Sequence, residues 1–354
     1  MYEDLKLKPL AIGSLPHNNV EKAMAVVERD FDEIPFFPQL SNVSKNEDMV
    51  VQFLEGFPSW DGKSDFIVNP DDEDFYVALE KFFSDYEEIV SDISCEKLDE
   101  YGISEEFSST FPKFIKIIAD TKPDYAKGQI VGPFTLCSML SDINGKNLVY
   151  DETLRDIITK LLSLKVLWQI RKIKCANPTT VPIIFMDEPT LSQLGTSAYL
   201  TVSENDVTSM LSEICNLIKE NGGICAIHCC GKCDWSIPIK AGVDIINLDG
   251  FSFGEHISLF SEEVNKFLQN GGKIAWGIVP TLAGDILDNL SVVDLADKFC
   301  NCVKYLTNKG IDEKLVIDNS LITSSCGAGS LTEKLSEKAM DMVKELSQLL
   351  RERY

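Results

Sequence analysis

Arginine is scarce in this chain. Five occur in 354 residues, Arg29, Arg155, Arg171, Arg351 and Arg353, against 56 acidic side chains and a net charge of −23. Cavities for polyphosphates or polycarboxylates rely on guanidinium forks, so ligands of that class are disfavoured. The acidic balance also repels phosphate backbones and anionic membrane surfaces, which argues against nucleic acid as a partner. No stretch approaches the roughly eighteen apolar residues of a membrane span. The N-terminus, Met-Tyr-Glu-Asp-Leu-Lys, has neither the basic region nor the apolar core of a signal peptide. A cytoplasmic protein without a membrane partner is expected. A phosphate-cradling glycine motif, a dinucleotide fingerprint, internal repeats and low-complexity tracts are all missing.

Cysteine, in contrast, is plentiful, with eleven residues. The chain is long enough for a large core and shows no export signal, so disulfides are not expected. Cys137, Cys175, Cys215, Cys225, Cys300 and Cys302 fall in apolar helix or strand patterns. They read as small buried hydrophobes.

Short apolar runs alternate with longer amphipathic segments. The candidate strands are Pro9–Gly13, Ile34–Phe37, Gly128–Val131, Val181–Met186, Gly223–Ile227, Asp244–Leu248, Lys273–Trp276 and Leu315–Ile317. Helical patterns lie between them, one opening on Ser203-Glu-Asn-Asp, an N-cap followed by acidic residues. Gly222-Gly223 and Gly271-Gly272 stand where helices should stop. Eight strands in this alternation fit a (β/α)₈ barrel, and a doubly wound sheet remains open. Ser14, Asp187, His228, Asp249 and Cys326 all fall at or just after strand ends, which converge on one face of a barrel. The reading is one domain, residues 1–354. Residues 41–126, strongly acidic at 69–74 and 85–88, form an ordered, mostly helical insertion between the second and third strands. It carries helical patterns of its own, such as Phe75–Phe83.

The chemistry concentrates at His228-Cys229-Cys230, which ends the apolar run at 223–227. Positions i and i+2 at a strand end share one side, so His228 and Cys230 can reach one ion. Cys326, in Ser-Ser-Cys-Gly-Ala-Gly, is a distant third soft ligand. One nitrogen and two sulfurs suit zinc, and sparse, distant ligands suit an open site rather than a structural knuckle. A substrate thiolate could complete the set, with a carboxylate in its place otherwise; Asp249, in Ile-Asn-Leu-Asp, is the best placed. The plain alternative is that His228 and Cys230 are buried strand-end residues. Cys229 should point away, and Cys233, a Cys-x-x-Cys partner of Cys230, is a rival ligand. In Met186-Asp187-Glu188-Pro189, Asp187 either holds a substrate ammonium group or caps a helix starting at Pro189. Ile12-Gly13-Ser14 is a small-residue turn where backbone can approach a ligand. His17 beside it is a ligand contact or a turn residue, and His256 reads as surface.

Together these motifs resemble the catalytic domain of cobalamin-independent methionine synthase. They also resemble the superfamily it shares with uroporphyrinogen decarboxylase and methylcobamide:coenzyme M methyltransferases. The likeness runs from Ile-Gly-Ser-Leu-Pro-His through Gly-Pro-Phe-Thr, Met-Asp-Glu-Pro and His-Cys-Cys-Gly to Ser-Cys-Gly-Ala-Gly. It implies a single-domain (β/α)₈ barrel with zinc on His228, Cys230 and Cys326. The family's glutamate ligand falls at Asp249, a departure. The family's amino-acid-binding turn falls at Ile12-Gly13-Ser14, and its ammonium-binding carboxylate at Asp187. The decarboxylases lack the zinc set and use arginines, the reverse of this chain. The implied activity is zinc-dependent methyl transfer to a thiol such as homocysteine, making methionine. The implied donor is a methylcorrinoid on a partner protein, because the folate-binding half of full-length methionine synthases does not fit in this length. Alternatives are coenzyme M or another thiol as acceptor, folate as donor, or a barrel that binds thiol or corrinoid without turnover.

Overall fold

The computed structural model describes residues 3–60, 62, 68–69, 72–282 and 284–354; Pro70 and Asp71 of the acidic run at 69–74 lie outside these. Its centre is a curled sheet of seven parallel strands. They are β1 (Pro9–Leu10), β2 (Tyr125–Val131), β3 (Val181–Asp187), β4 (Ile224–Cys229), β5 (Ile245–Leu248), β6 (Lys273–Val279) and β7 (Ser320–Ser324). The spatial order is β1-β7-β6-β5-β4-β3-β2, so consecutive strands from β2 to β7 are neighbours and β1 pairs with β7. Helices cover the outer face, as crossovers between parallel strands require.

Two expected strands are not there. Leu315–Ile317 lies in a helix, Glu313–Asp318, whose N-cap Asp312 accepts from the Leu315 amide. Lys314 and Asp318 form an i,i+4 ion pair on it, and the strand follows at Ser320. The segment 34–39 makes only isolated bridges, Phe36 to Lys127 of β2 and Ser14 to Gln39. Pro35 and Pro38 cannot donate to a ladder, so the pairing breaks there. The segment nevertheless touches both open edges of the sheet. The Lys127 amide donates to Pro35 O (2.8 Å), and the Leu15 amide to Gln39 O (3.1 Å).

Side-chain parity sorts each strand. Ile183 and Phe185 of β3, Ile224 and Ala226 of β4, Ile245 of β5 and Leu321 of β7 form a small inner cluster. The alternate residues, such as Ile184, Cys225, Ile227 and Ile246, join the larger core under the helices. Following the inner parity toward the strand ends gives Asp187, His228, Asn247 and Thr323, all buried. An apolar interior thus gives way to a polar layer at the C-terminal ends of the strands.

Helix ends follow their sequence signals. Ser203 and Asp206 form a capping box on helix Glu204–Glu220, and Ser291 and Asp294 another on Val292–Thr307. Between the 34–39 segment and β2 the described residues include the α-helices Glu73–Ser91 and Phe111–Thr121 and three short 3₁₀ turns. This region is fastened to helix Glu152–Ala176 from inside. Phe111 stacks on Trp168 with centroids 4.5 Å apart, and the fully buried Lys165 donates to Gly102 O at 2.6 Å. Among the described residues no helix is long and apolar enough to cross a membrane.

The cysteines need a correction. Cys215, on the helix before β4, and Cys225, on β4, are joined in a disulfide rather than standing as separate thiols. Parity explains their meeting, since both face the layer between helix and sheet. Cys175 is exposed and Cys300 half-buried, so neither is a core residue.

Gly277 gives a test of the packing at the strand ends. A Cβ there would lie 2.5 Å from Leu248 O and 2.8 Å from Ser325 Cα, both backbone atoms that cannot step aside. Gly277→Ala should destabilise the protein by about 1–3 kcal/mol or more. Chemical denaturation reads this as a lowered midpoint, and an unchanged midpoint would contradict the described packing.

Candidate metal centre

His228, Cys230 and Cys326 meet. Their donor atoms lie within 4.8 Å of one another, His228 buried and the two cysteines half-buried. β4 delivers His228 by inner parity, and Cys230 follows where the strand opens into a loop. Cys326 arrives two residues beyond β7, not after the 314–318 run. Its loop is fixed by Thr281, whose hydroxyl accepts from the Cys326 amide (3.2 Å) and donates to Cys326 O (2.9 Å). The Ser324 hydroxyl donates to the same carbonyl at 2.8 Å.

The donor set fits a soft or borderline cation. Zinc bonds of about 2.0 Å to nitrogen and about 2.3 Å to sulfur bring three such atoms round one ion, with a fourth position open. His228 Nε2 supports this reading, because it is buried with no hydrogen-bond partner. The ring's other nitrogen, Nδ1, is engaged by Asn247 Oδ1.

The charges are arranged for a thiolate. The Cys230 thiol is pulled down to about 4, first by a hydrogen bond from Cys326 and then by His228. Burial alone would lower the His228 pKa. The neighbouring Cys230 sulfur and the charge of Asp187 outweigh it and raise the imidazole to about 9. Without metal the two side chains are therefore a thiolate–imidazolium pair. The Cys326 thiol is pushed up, chiefly by its hydrogen bond to Cys230.

Cys229 points the other way, as strand alternation requires. Its sulfur hydrogen-bonds to Cys233, which holds the Cys229 thiol down, while burial and then the same contact lift that of Cys233. Cys233 is thus the partner of Cys229 and lies outside the group of three. Asp249 is outside it too. Its Oδ1 accepts from the Ser252 amide at 2.7 Å and caps the short helix Gly250–Phe253. Burial is the main cause of its raised pKa, and it still feels the charges of Cys230 and His228.

A cavity of about 300 Å³ opens above the three ligands. Asp187 lines it, 5% exposed, with Oδ1 lacking any hydrogen-bond partner. Capping falls to its neighbour. Glu188 accepts from the amides of Phe134 (2.9 Å) and Thr135 (2.8 Å) at the start of helix Pro133–Met139. Burial lifts the Glu188 carboxyl to about 7. Asp187 is raised as well, by burial opposed chiefly by the charge of Lys127.

Ile12 and Ser14 line the same cavity. The 12–14 turn interlocks with the Cys326 loop. The Ala328 amide donates to Ser14 O at 2.9 Å, and a Cβ on Gly327 would fall 2.1 Å from Ser14 Oγ. Gly13, at φ +154°, faces the Gln129 side chain, which a Cβ would meet at 3.2 Å. His17 is fully buried beside Glu337, with Nε2 3.4 Å from its carboxylate, and is not in the cavity wall. His256 is partly buried, its ring 2.9 Å from Cys233 O.

The sequence reading missed four residues of the surroundings. Lys127 is fully buried and donates to Ile12 O and Gln129 Oε1, each at 2.6 Å. Burial lowers it to about 8. It precedes the expected strand Gly128–Val131, whereas β2 begins at Tyr125 and includes it. Asn247 stands in the quoted Ile-Asn-Leu-Asp, where attention went to the carboxylate. Thr281 stands two residues beyond β6. Glu47, buried in the cavity wall, accepts from the amides of Leu40 (3.1 Å) and Ser109 (3.0 Å). Nothing in its acidic surroundings singled it out.

Compared with known proteins, the chain matches no family model, and no curated protein matches it significantly in sequence.

The electrostatics predict an unusual thiol. In the metal-free protein Cys230 should remain a thiolate as pH falls from the ordinary thiol range near 8.5 toward about 4. Alkylation at about pH 6, mapped by mass spectrometry, should therefore mark Cys230 first. A Cys230 rate that falls with pH like that of a free thiol would contradict this.

Proposed function

We propose that this protein is a zinc-dependent methyltransferase that methylates a small amino thiol, homocysteine being the acceptor whose product is methionine. The observation that carries the reading is the group His228, Cys230 and Cys326 beneath a cavity that also holds an unpartnered carboxylate. In this reading the protein is a single (β/α)₈ barrel in which the 34–39 segment takes the place of a strand. The stretch from residue 41 up to β2, which starts at Tyr125 rather than after residue 126, is an insertion in it. The bridges from that segment to Ser14 and to β2 support closure.

Zinc on the three ligands would lower the pKa of a coordinated thiol, so that a thiolate nucleophile exists at neutral pH. The side chains supply positioning. Asp187, buried and without a partner, offers its oxygen to a substrate ammonium group, and a cation there offsets the cost of burying the carboxylate. Ile12 and Ser14 form the wall at which the remainder of the substrate is held. The reaction is a displacement at carbon. A sulfur–methyl bond forms as the donor–methyl bond breaks, and the electron pair leaves with the donor. Much of the acceleration comes from holding the two in line.

The cavity wall also bears on which thiol is accepted. Among the described residues it contains Glu47, Asp48 and Asp187 and no lysine or arginine. Such a wall favours an ammonium-bearing thiol over a sulfonated one such as coenzyme M. A cavity of about 300 Å³ is at the lower end for small-molecule sites. It suits an amino-acid-sized acceptor and leaves a corrinoid to be presented at the mouth. That supports a methylcorrinoid carried by a partner protein as donor.

Protein purified without chelating affinity tags should contain one zinc per chain and transfer methyl from methylcobalamin to homocysteine. Cys230→Ser should lose both. Its activity should fall by more than the about 10–100-fold typical of losing an outer-sphere partner. Zinc-free native protein, or full activity in Cys230→Ser, would sink the reading. Separately, Asp187→Asn should lower kcat/KM for homocysteine by about 10–100-fold, the worth of a hydrogen bond to a charged group. It should leave transfer to a thiol without an ammonium group nearly unchanged. Equal losses for both thiols would remove Asp187 from ammonium binding.

A further inference from the structure

We propose that Asn247 is the positioning residue that decides which ring nitrogen of His228 meets the metal. The inference rests on the metal-centre reading and not on the identity of the substrate. Asn247 is fully buried on β5, at the register position beside His228. Its Nδ2 donates to Ala275 O at 2.7 Å and to Thr323 Oγ1 at 2.9 Å. Thr323 spends its single hydroxyl proton on Ser324 O, at 2.9 Å, so toward Asn247 its oxygen is an acceptor.

These contacts fix the amide's orientation. A flipped Asn247 would set its oxygen against two acceptors and its NH₂ against the imidazole. Oδ1 must therefore face His228 Nδ1, with which it is in hydrogen-bond contact. An amide oxygen can only accept, so Nδ1 carries a proton. In a neutral imidazole the lone pair is then on Nε2, the nitrogen that is buried without a partner. Carbonyls of β6 and β7 thus orient an amide on β5, which orients a ring on β4. The chain of contacts uses backbone and side-chain acceptors that exist whether or not metal is bound, so the ligand is held ready before the ion arrives.

The test uses the full-length protein loaded with NMR-active cadmium in place of zinc, with isotope-labelled histidine. The chain has three histidines, so assignment is direct. A one-bond metal–nitrogen coupling at His228 Nε2 is expected; coupling through Nδ1, or none to His228, would overturn the proposal. Chelator competition supplies the second readout. Asn247→Leu should weaken cadmium binding by about 10–100-fold, as loss of an outer partner does. Asn247→Asp keeps an acceptor oxygen at Nδ1 and should bind close to native strength, a rescue that general loosening of the fold would not produce. If Asn247→Leu does not fold, Thr323→Val frees the Nδ2 end and should weaken binding in the same direction. Native affinity in Asn247→Leu, or in Thr323→Val where that is the variant that folds, would overturn the proposal. Methyl transfer is measured nowhere in this test. Coupling through Nε2 in a protein that transfers no methyl would retire the function proposed above and leave this inference standing.

Discussion

Parallel pairing in register is the constraint on which the rest depends. Asp187 pairs with His228, and His228 with Asn247, across β3, β4 and β5. Parallel neighbours in register point to the same side, so three polar side chains stand in one row at one height inside the sheet. A slip of one residue in β4 would send His228 under the helices and bring Cys229 inward. The apolar inner cluster below the row, with Phe185, Ala226 and Ile245, holds that register, because a slip would also turn those residues out.

A buried polar row is costly unless its members are satisfied. Most of this one is. Asn247 uses both ends of its amide, Thr323 its hydroxyl, and Glu188 next to the row caps a helix. Two atoms are left over, Asp187 Oδ1 and His228 Nε2. Both belong to residues of the same cavity wall, together with two cysteines. Unsatisfied buried groups collected at one place are what a site waiting for a cation and an ammonium group would leave.

Much of this was legible in the sequence because it depends on parity and local order. His228 and Cys230 could be paired from their i, i+2 spacing at the end of an apolar run, and Cys326 could be added as a soft residue in a glycine-rich loop, although the run taken for the strand before it is a helix. Other features were hidden because they depend on contacts between distant segments. The 315–317 run has strand-like residues, but Asp312 and the Lys314–Asp318 pair hold it as helix. Prolines at 35 and 38 leave the 34–39 segment as isolated bridges. The Cys215–Cys225 link joins a helix to the next strand, which spacing alone does not reveal. Asp249 was singled out as the best-placed carboxylate, and that its Oδ1 caps the helix after β5 shows only once the backbone there is known. Asn247 escaped notice because an amide on a strand carries no chemical signal until its neighbours are known.

The central claim is that His228, Cys230 and Cys326 hold a metal with one position open to a thiol. X-ray absorption at the zinc edge, with and without homocysteine, addresses it most directly. The account predicts two sulfurs and one nitrogen plus a lighter atom in the free protein, and a third sulfur when the thiol is added. A sulfur count that stays the same with the thiol bound would contradict it.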